Sequence, residues 1–208
     1  MSTEKYDPQA EGWTEEAYAD PSAYLAHRAE LIVSLGDRLA AGDTVLDLAC
    51  GDAGMAEPLL ACGLRYIGVD LSEPMVDAAL RRVGDRAAIA VGDLNDYRPA
   101  APVACTTCFR AVYYARDRRA FFRHAAEYTE RKLVFDLNPR QYRVADIVAD
   151  LRAAGLGRIT MRPFLVPQRH GLPRPLAAGL RAAERSGPFA RTLLRVRFSY
   201  VMAASRAE

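Results

Sequence analysis

The chain has 208 residues, half of them hydrophobic and 26% charged, with a net charge of +2. That suits one α/β domain with a substantial core and leaves little room for two. The polar start Met1–Lys5, the lack of any long uncharged apolar run and four cysteines (50, 62, 105, 108) argue against a secreted, membrane-spanning or disulfide-scaffolded protein, so a cytoplasmic location is expected.

In chain order, an aromatic-rich, weakly periodic segment with Tyr6, Trp13 and Tyr18 precedes Pro21-Ser22, which opens a helix predicted over about 23–40. Gly42-Asp43 breaks it, and Thr44–Leu48 reads as an apolar strand. A loop over Ala49–Gly54 leads into a helix at 55–62, ended by Gly63. Strand 66–69, helix 73–83, short strand 87–91 and strand 103–108 follow, then helix 118–129 and strand 132–137. Strands alternating with helices at this spacing predict βαβ units and a parallel sheet.

Past Asn138-Pro139 the pattern changes. A helix over 142–154 ends at Gly155, and 158–166 and 192–203 read as strands closing an antiparallel hairpin at the sheet edge. Their connector, residues 167–191, is long enough to suggest a function. Between 157 and 197 nine arginines face a single acid, Glu184, on an otherwise acidic body. This fits either an anionic or lipid-like partner or a solvated basic face. Cys105 and Cys108 lie three apart in a predicted strand and so point to opposite faces; no second pair completes a metal cluster, and structural thiols are expected.

The chemistry concentrates in Val45-Leu46-Asp47-Leu48-Ala49-Cys50-Gly51-Asp52-Ala53-Gly54. An apolar strand running into small residues and then a helix lets backbone amides approach a ligand closely. The next two strands end in Asp70 and Asp93. An acid at the second position can accept both hydroxyl hydrogens of a ribose. With Asp47 they form one constellation on a shared sheet edge. Ala49 and Ala53 suit negative φ, so any left-handed position is expected to fall on Gly51 or Gly54.

On these residues the sequence resembles the class I S-adenosylmethionine-dependent methyltransferases. The first motif matches Asp47–Gly54, the second lies in Gly68-Val69-Asp70-Leu71-Ser72-Glu73-Pro74-Met75, and the third is Asp93. The resemblance implies a three-layer αβα sandwich, with a mostly parallel seven-stranded sheet and an antiparallel C-terminal strand. It implies that Ala49, Gly51 and Asp52 line the methionine part of the cofactor, Asp70 the ribose, and Leu71, Asp93 and Leu94 the adenine. Asp47, Met75 and Phe109 complete the expected cofactor set, with no metal required. The whole chain, 1–208, is then one domain with a lid segment at 1–23, where Tyr18, with Tyr24 and Arg28 just beyond, closes over the cofactor.

The acceptor is expected after the fourth and fifth strands and along the connector. Arg110 is the candidate to pair with an acidic substrate group, Tyr113 (or Tyr114) to face the acceptor, and His170 to act as general base. Asp136-Leu137-Asn138-Pro139-Arg140 lacks the second proline and aromatic of nucleic-acid amino methyltransferases, which argues for a small molecule, anionic or lipid-like. An Ala/Leu/Arg helix within 172–186 is placed to cap a greasy substrate or lie on lipid. The competing readings are an NAD(P)-dependent oxidoreductase, which lacks its Gly-x-Gly-x-x-Gly fingerprint here, and a non-catalytic adenosyl-ligand-binding module.

Overall fold

The computed structural model describes residues 8, 10–138, 141–193 and 199–206. Tyr6, Pro139, Arg140, Arg195, Arg197 and part of the expected last strand lie outside these residues. Seven strands form a single sheet: β1 Thr44–Leu48, β2 Arg65–Asp70, β3 Ala88–Val91, β4 Val103–Cys108, β5 Thr129–Leu137, β6 Arg158–Pro163 and β7 Tyr200–Ser205. Their order is β3-β2-β1-β4-β5-β7-β6. β1 to β5 are mutually parallel, and β7 inserts antiparallel between β5 and β6. The expected hairpin therefore exists, with β6 rather than β7 at the edge.

Period-two alternation divides the core into two faces. Val45, Val134, Val201 and Ala203 face one layer, which includes residues of α2 (Pro21–Ser34), α3 (Ala56–Ala61) and α4 (Glu73–Val83). Leu46, Leu48, Leu133, Phe135 and Met202 face the other, which includes residues of α5 (Arg118–Tyr128) and α6 (Val144–Ala153). This is the three-layer αβα sandwich. Cys105 joins the first face and Cys108 the second, both as free buried thiols.

α2 and α4 start on side-chain caps, Asp20 accepting from Ala23 N–H at 3.0 Å and Ser72 from Met75 N–H at 3.4 Å. α2 ends at Ser34, six residues before the expected limit. Lys132, buried in β5, reaches across and donates from Nζ to the carbonyls of Leu35 (2.7 Å) and Val33 (3.2 Å). A cation satisfying the last carbonyls stops the helix, and Leu35 turns extended. Beyond the sheet edge, α7 covers Arg174–Arg185 and α8 Gly187–Leu193. Thr192 is thus helical, correcting the strand expected from 192. A short apolar run does not by itself separate helix from strand. β6 ends at Pro163; Phe164 N–H still donates to Ser199 O at 2.8 Å, and the Leu165 N–H, on the outer edge, goes to the Glu184 carboxylate at 2.6 Å.

Some of the basic C-terminal excess is spent on the body. Arg158 pairs with Asp37 at 2.5 Å and Arg185 with Glu30 at 3.3 Å. Among the described residues no helix is long and apolar enough to cross a membrane.

Candidate cofactor and acceptor site

The loop after β1 is held by its own backbone. Cys50 N–H donates to Val69 O (3.0 Å) and Gly51 N–H to Asp70 Oδ2 (2.8 Å), while Asp70 Oδ1 accepts from Ser72 N–H (3.0 Å). Three residues here are left-handed: Ala49 and Ala53 (φ 57° each) and Gly51 (φ 58°). This corrects the expectation that alanine avoids such positions, and Gly54 is not left-handed. Each alanine costs about 1–2 kcal/mol in that region, and the surrounding hydrogen bonds and burial hold it there.

Gly54 matters for a different reason. A Cβ there would stand 2.2 Å from Thr14 Oγ1, and one on Gly51 would stand 3.2 Å from the Trp13 ring. Both glycines make room for a short helix, α1 (Trp13–Ala17), lying on the loop. Asp52 fastens it. Its buried carboxylate accepts from Thr14 N–H (3.0 Å), Thr14 Oγ1–H (2.5 Å) and Arg82 (2.7 Å). Arg82 also bonds Glu15, at 3.0 Å. Asp52 lines the cavity as expected, but its oxygens are engaged in holding the N-terminal segment.

Asp47 lies inside β1 and is buried, accepting from Tyr66 Oη (2.8 Å) and Thr107 Oγ1 (2.7 Å). Burial pushes its carboxyl up to about 6, against the opposing pull of those two hydrogen bonds. Asp93 goes the other way. Its partial burial is outweighed by the amide and side chain of Asn95 and by Arg116, which hold it below the usual carboxylate range.

All ten expected cofactor residues line one cavity: Asp47, Ala49, Gly51, Asp52, Asp70, Leu71, Met75, Asp93, Leu94 and Phe109. Trp13, Thr14 and Arg28 complete its wall from the N-terminal elements. A second cavity adjoins it, and Arg28, Arg110, Ala111 and Tyr113 line both. Arg28 is buried beneath Tyr24 Oη (3.1 Å), Asp136 Oδ2 (3.6 Å) and the Phe109 ring, 4.3 Å from its guanidinium carbon. Arg110 is the third left-handed non-glycine residue (φ 56°); its N–H donates to Asp136 Oδ1 at 2.6 Å and its guanidinium stands over Trp13.

His170 is exposed and lines neither cavity, apart from Arg110 and Tyr113 with which it was grouped. Asn138 lines the second cavity. Tyr200, Phe164 and Gln168, also in that wall, were not singled out as site residues. Gln168 ties the connector to the N-terminal segment, donating to Ala17 O at 2.9 Å and accepting from Ala19 N–H at 2.9 Å.

A sheet of order β3-β2-β1-β4-β5-β7-β6 with β7 antiparallel, acids toward successive strand ends and a cavity over the carboxyl edge is the Rossmann-like methyltransferase fold. Residues 45–132 match the family model described as a methyltransferase domain. The fold is thus the Rossmann-like fold of the class I methyltransferases, and the motif-bearing stretch is the part of the chain that matches the methyltransferase-domain model. Over 92 residues it is 32% identical to a dTDP-4-amino-2,3,4,6-tetradeoxy-D-glucose N,N-dimethyltransferase of Saccharopolyspora spinosa, covering 43% of this chain and 36% of that protein. It is 28% identical over 126 residues to an uncharacterized methyltransferase of Geobacillus thermodenitrificans, covering 59% and 56%. The matches thus span about a third to a half of these curated relatives. A TehB-like SAM-dependent methyltransferase from Corynebacterium glutamicum superimposes with a TM-score of 0.68 at 15% identity, covering 99% of this chain and all of that one, a likeness of fold.

Proposed function

We propose that the protein transfers a methyl group from S-adenosylmethionine to a small-molecule acceptor held in the second cavity. The observation that carries this is the shared wall. The ten expected cofactor residues line one cavity, and Arg28, Arg110, Ala111 and Tyr113 join it to a second. The residues present fit the cofactor. Asp70 ends β2 beside the Gly51 amide, where a ribose can be held, and Asp93 with Leu94 offers a carboxylate and an apolar contact for the adenine.

When bound, the cofactor supplies a methyl group on a sulfonium, which passes to the acceptor's lone pair as the carbon–sulfur bond breaks and S-adenosylhomocysteine is left. The protein's work is alignment and exclusion of water. α1, latched by Asp52, covers the loop, and the Phe109 ring packs on the Arg28 guanidinium beside the junction of the cavities. Where the acceptor loses a proton on methylation, Asp136 is the carboxylate in the second cavity's wall able to take it.

Titration calorimetry tests this reading. S-adenosylhomocysteine should bind the wild type, and Asp70→Ala should weaken it about hundredfold by removing the ribose partner and the Gly51 anchor. Binding of NAD without S-adenosylhomocysteine would overturn it in favour of an oxidoreductase. Cofactor binding with no methyl transfer to any acceptor would favour a binding module.

A further inference from the structure

The second cavity is built asymmetrically in charge. Its wall holds two arginines, Arg28 and Arg110, against one carboxylate, Asp136. Asp136 is already engaged by both, through the Arg28 side chain and the Arg110 backbone N–H. The Arg110 guanidinium stands over the Trp13 ring, and among the described residues no carboxylate pairs with it. Its left-handed backbone, pinned by Asp136, holds that cation where the two cavities meet.

Two further polar groups in this wall are incomplete. The Tyr200 hydroxyl and Arg28 Nε are buried and have no hydrogen-bond partner, in residues only 1% and 3% exposed. Native proteins rarely leave such donors unmatched, so each marks a point where a ligand or water oxygen can bond. The rest of the wall is ring surface from Tyr24, Tyr113, Tyr142 and Phe164. Aromatic faces favour a flat, apolar body. A cationic acceptor would sit against two arginines.

Resting on the methyltransferase reading above, we propose that the acceptor is a flat aromatic molecule bearing one anionic group, a carboxylate. Arg110 receives the anion at the junction, and the tyrosine and phenylalanine rings of the second cavity hold the aromatic body.

The test uses the full chain saturated with S-adenosylhomocysteine, titrated calorimetrically with three probes of one shape. These are 4-hydroxybenzoate, its neutral amide and 4-hydroxybenzylamine, with inorganic phosphate as a bare anion. The acid should bind at least about tenfold tighter than the amide, the size of one charge-assisted hydrogen bond, and the amine most weakly. Arg110→Gln should abolish the preference for acid over amide, and Arg110→Lys should restore much of it. Equal binding of acid and amide, tighter binding of the amine, or no binding of any probe at millimolar concentration overturns the proposal. Phosphate binding as tightly as the acid overturns its aromatic half. Failure to bind S-adenosylhomocysteine at the outset would instead sink the methyltransferase reading, so the two failures are distinguishable.

Discussion

The cofactor-side cavity draws most of its wall from successive loops at the strand ends between Asp47 and Tyr114, closed over by α1 and α2. The second cavity gathers Arg28, Arg110, Asp136, Phe164 and Tyr200 from five separate stretches of chain. In the first, backbone amides and short acidic side chains at fixed spacing do the holding. In the second, long side chains converge from distant elements. A wall made of backbone resists change of ligand, whereas a wall made of side chains can change ligand without disturbing the sheet.

Removing Asp52 tests that contrast most severely, because it is a motif residue whose carboxylate serves the N-terminal segment. Asp52→Ala should cost about 3 kcal/mol in denaturant unfolding, since Thr14 N–H and Arg82 lose a buried charged partner. A loss below about 1 kcal/mol would mean that α1 is held by other contacts.

Asp47 offers a smaller effect with a sign. Its folded value of about 6 stands above its ordinary 3.8, so the fold binds more protons than the unfolded chain between those limits. The group's stabilisation is therefore complete below about pH 4 and is lost as pH rises through about 6, on the order of 2–3 kcal/mol. Thermal unfolding of Asp47→Asn across this range should lack that downward slope; parallel profiles for variant and wild type would refute the assignment.

The smallest effect sharpens the account of the loop. Ala49→Gly should stabilise by about 0.5–1 kcal/mol, relieving a left-handed alanine in part while freeing the unfolded chain. A lower urea midpoint at unchanged slope would show that the alanine is not strained.

Much of the scaffold was legible. Strands Thr44–Leu48 and Val103–Cys108 and helix Glu73–Val83 fall where periodicity and caps put them. The three acids at 47, 70 and 93 meet in one cavity because parallel neighbours bring consecutive strand ends to one edge. The misses have a common cause. α2 stops early because of a lysine about a hundred residues away, and just past β6 the Leu165 amide is taken by Glu184, 19 residues further on. His170 was chosen for its chemistry in a connector whose path no local pattern specifies.

Sequence by itself determined the fold class, the cofactor-side loop and its acids, since all of these depend on local spacing and on strand order. Only the tertiary structure decided that Ala49 and Ala53 take left-handed backbone, that Asp52 latches α1, and that Arg28, Arg110 and Tyr200 share one wall. Those features arise from contacts between residues far apart in the chain, where burial and hydrogen-bond competition override local preference.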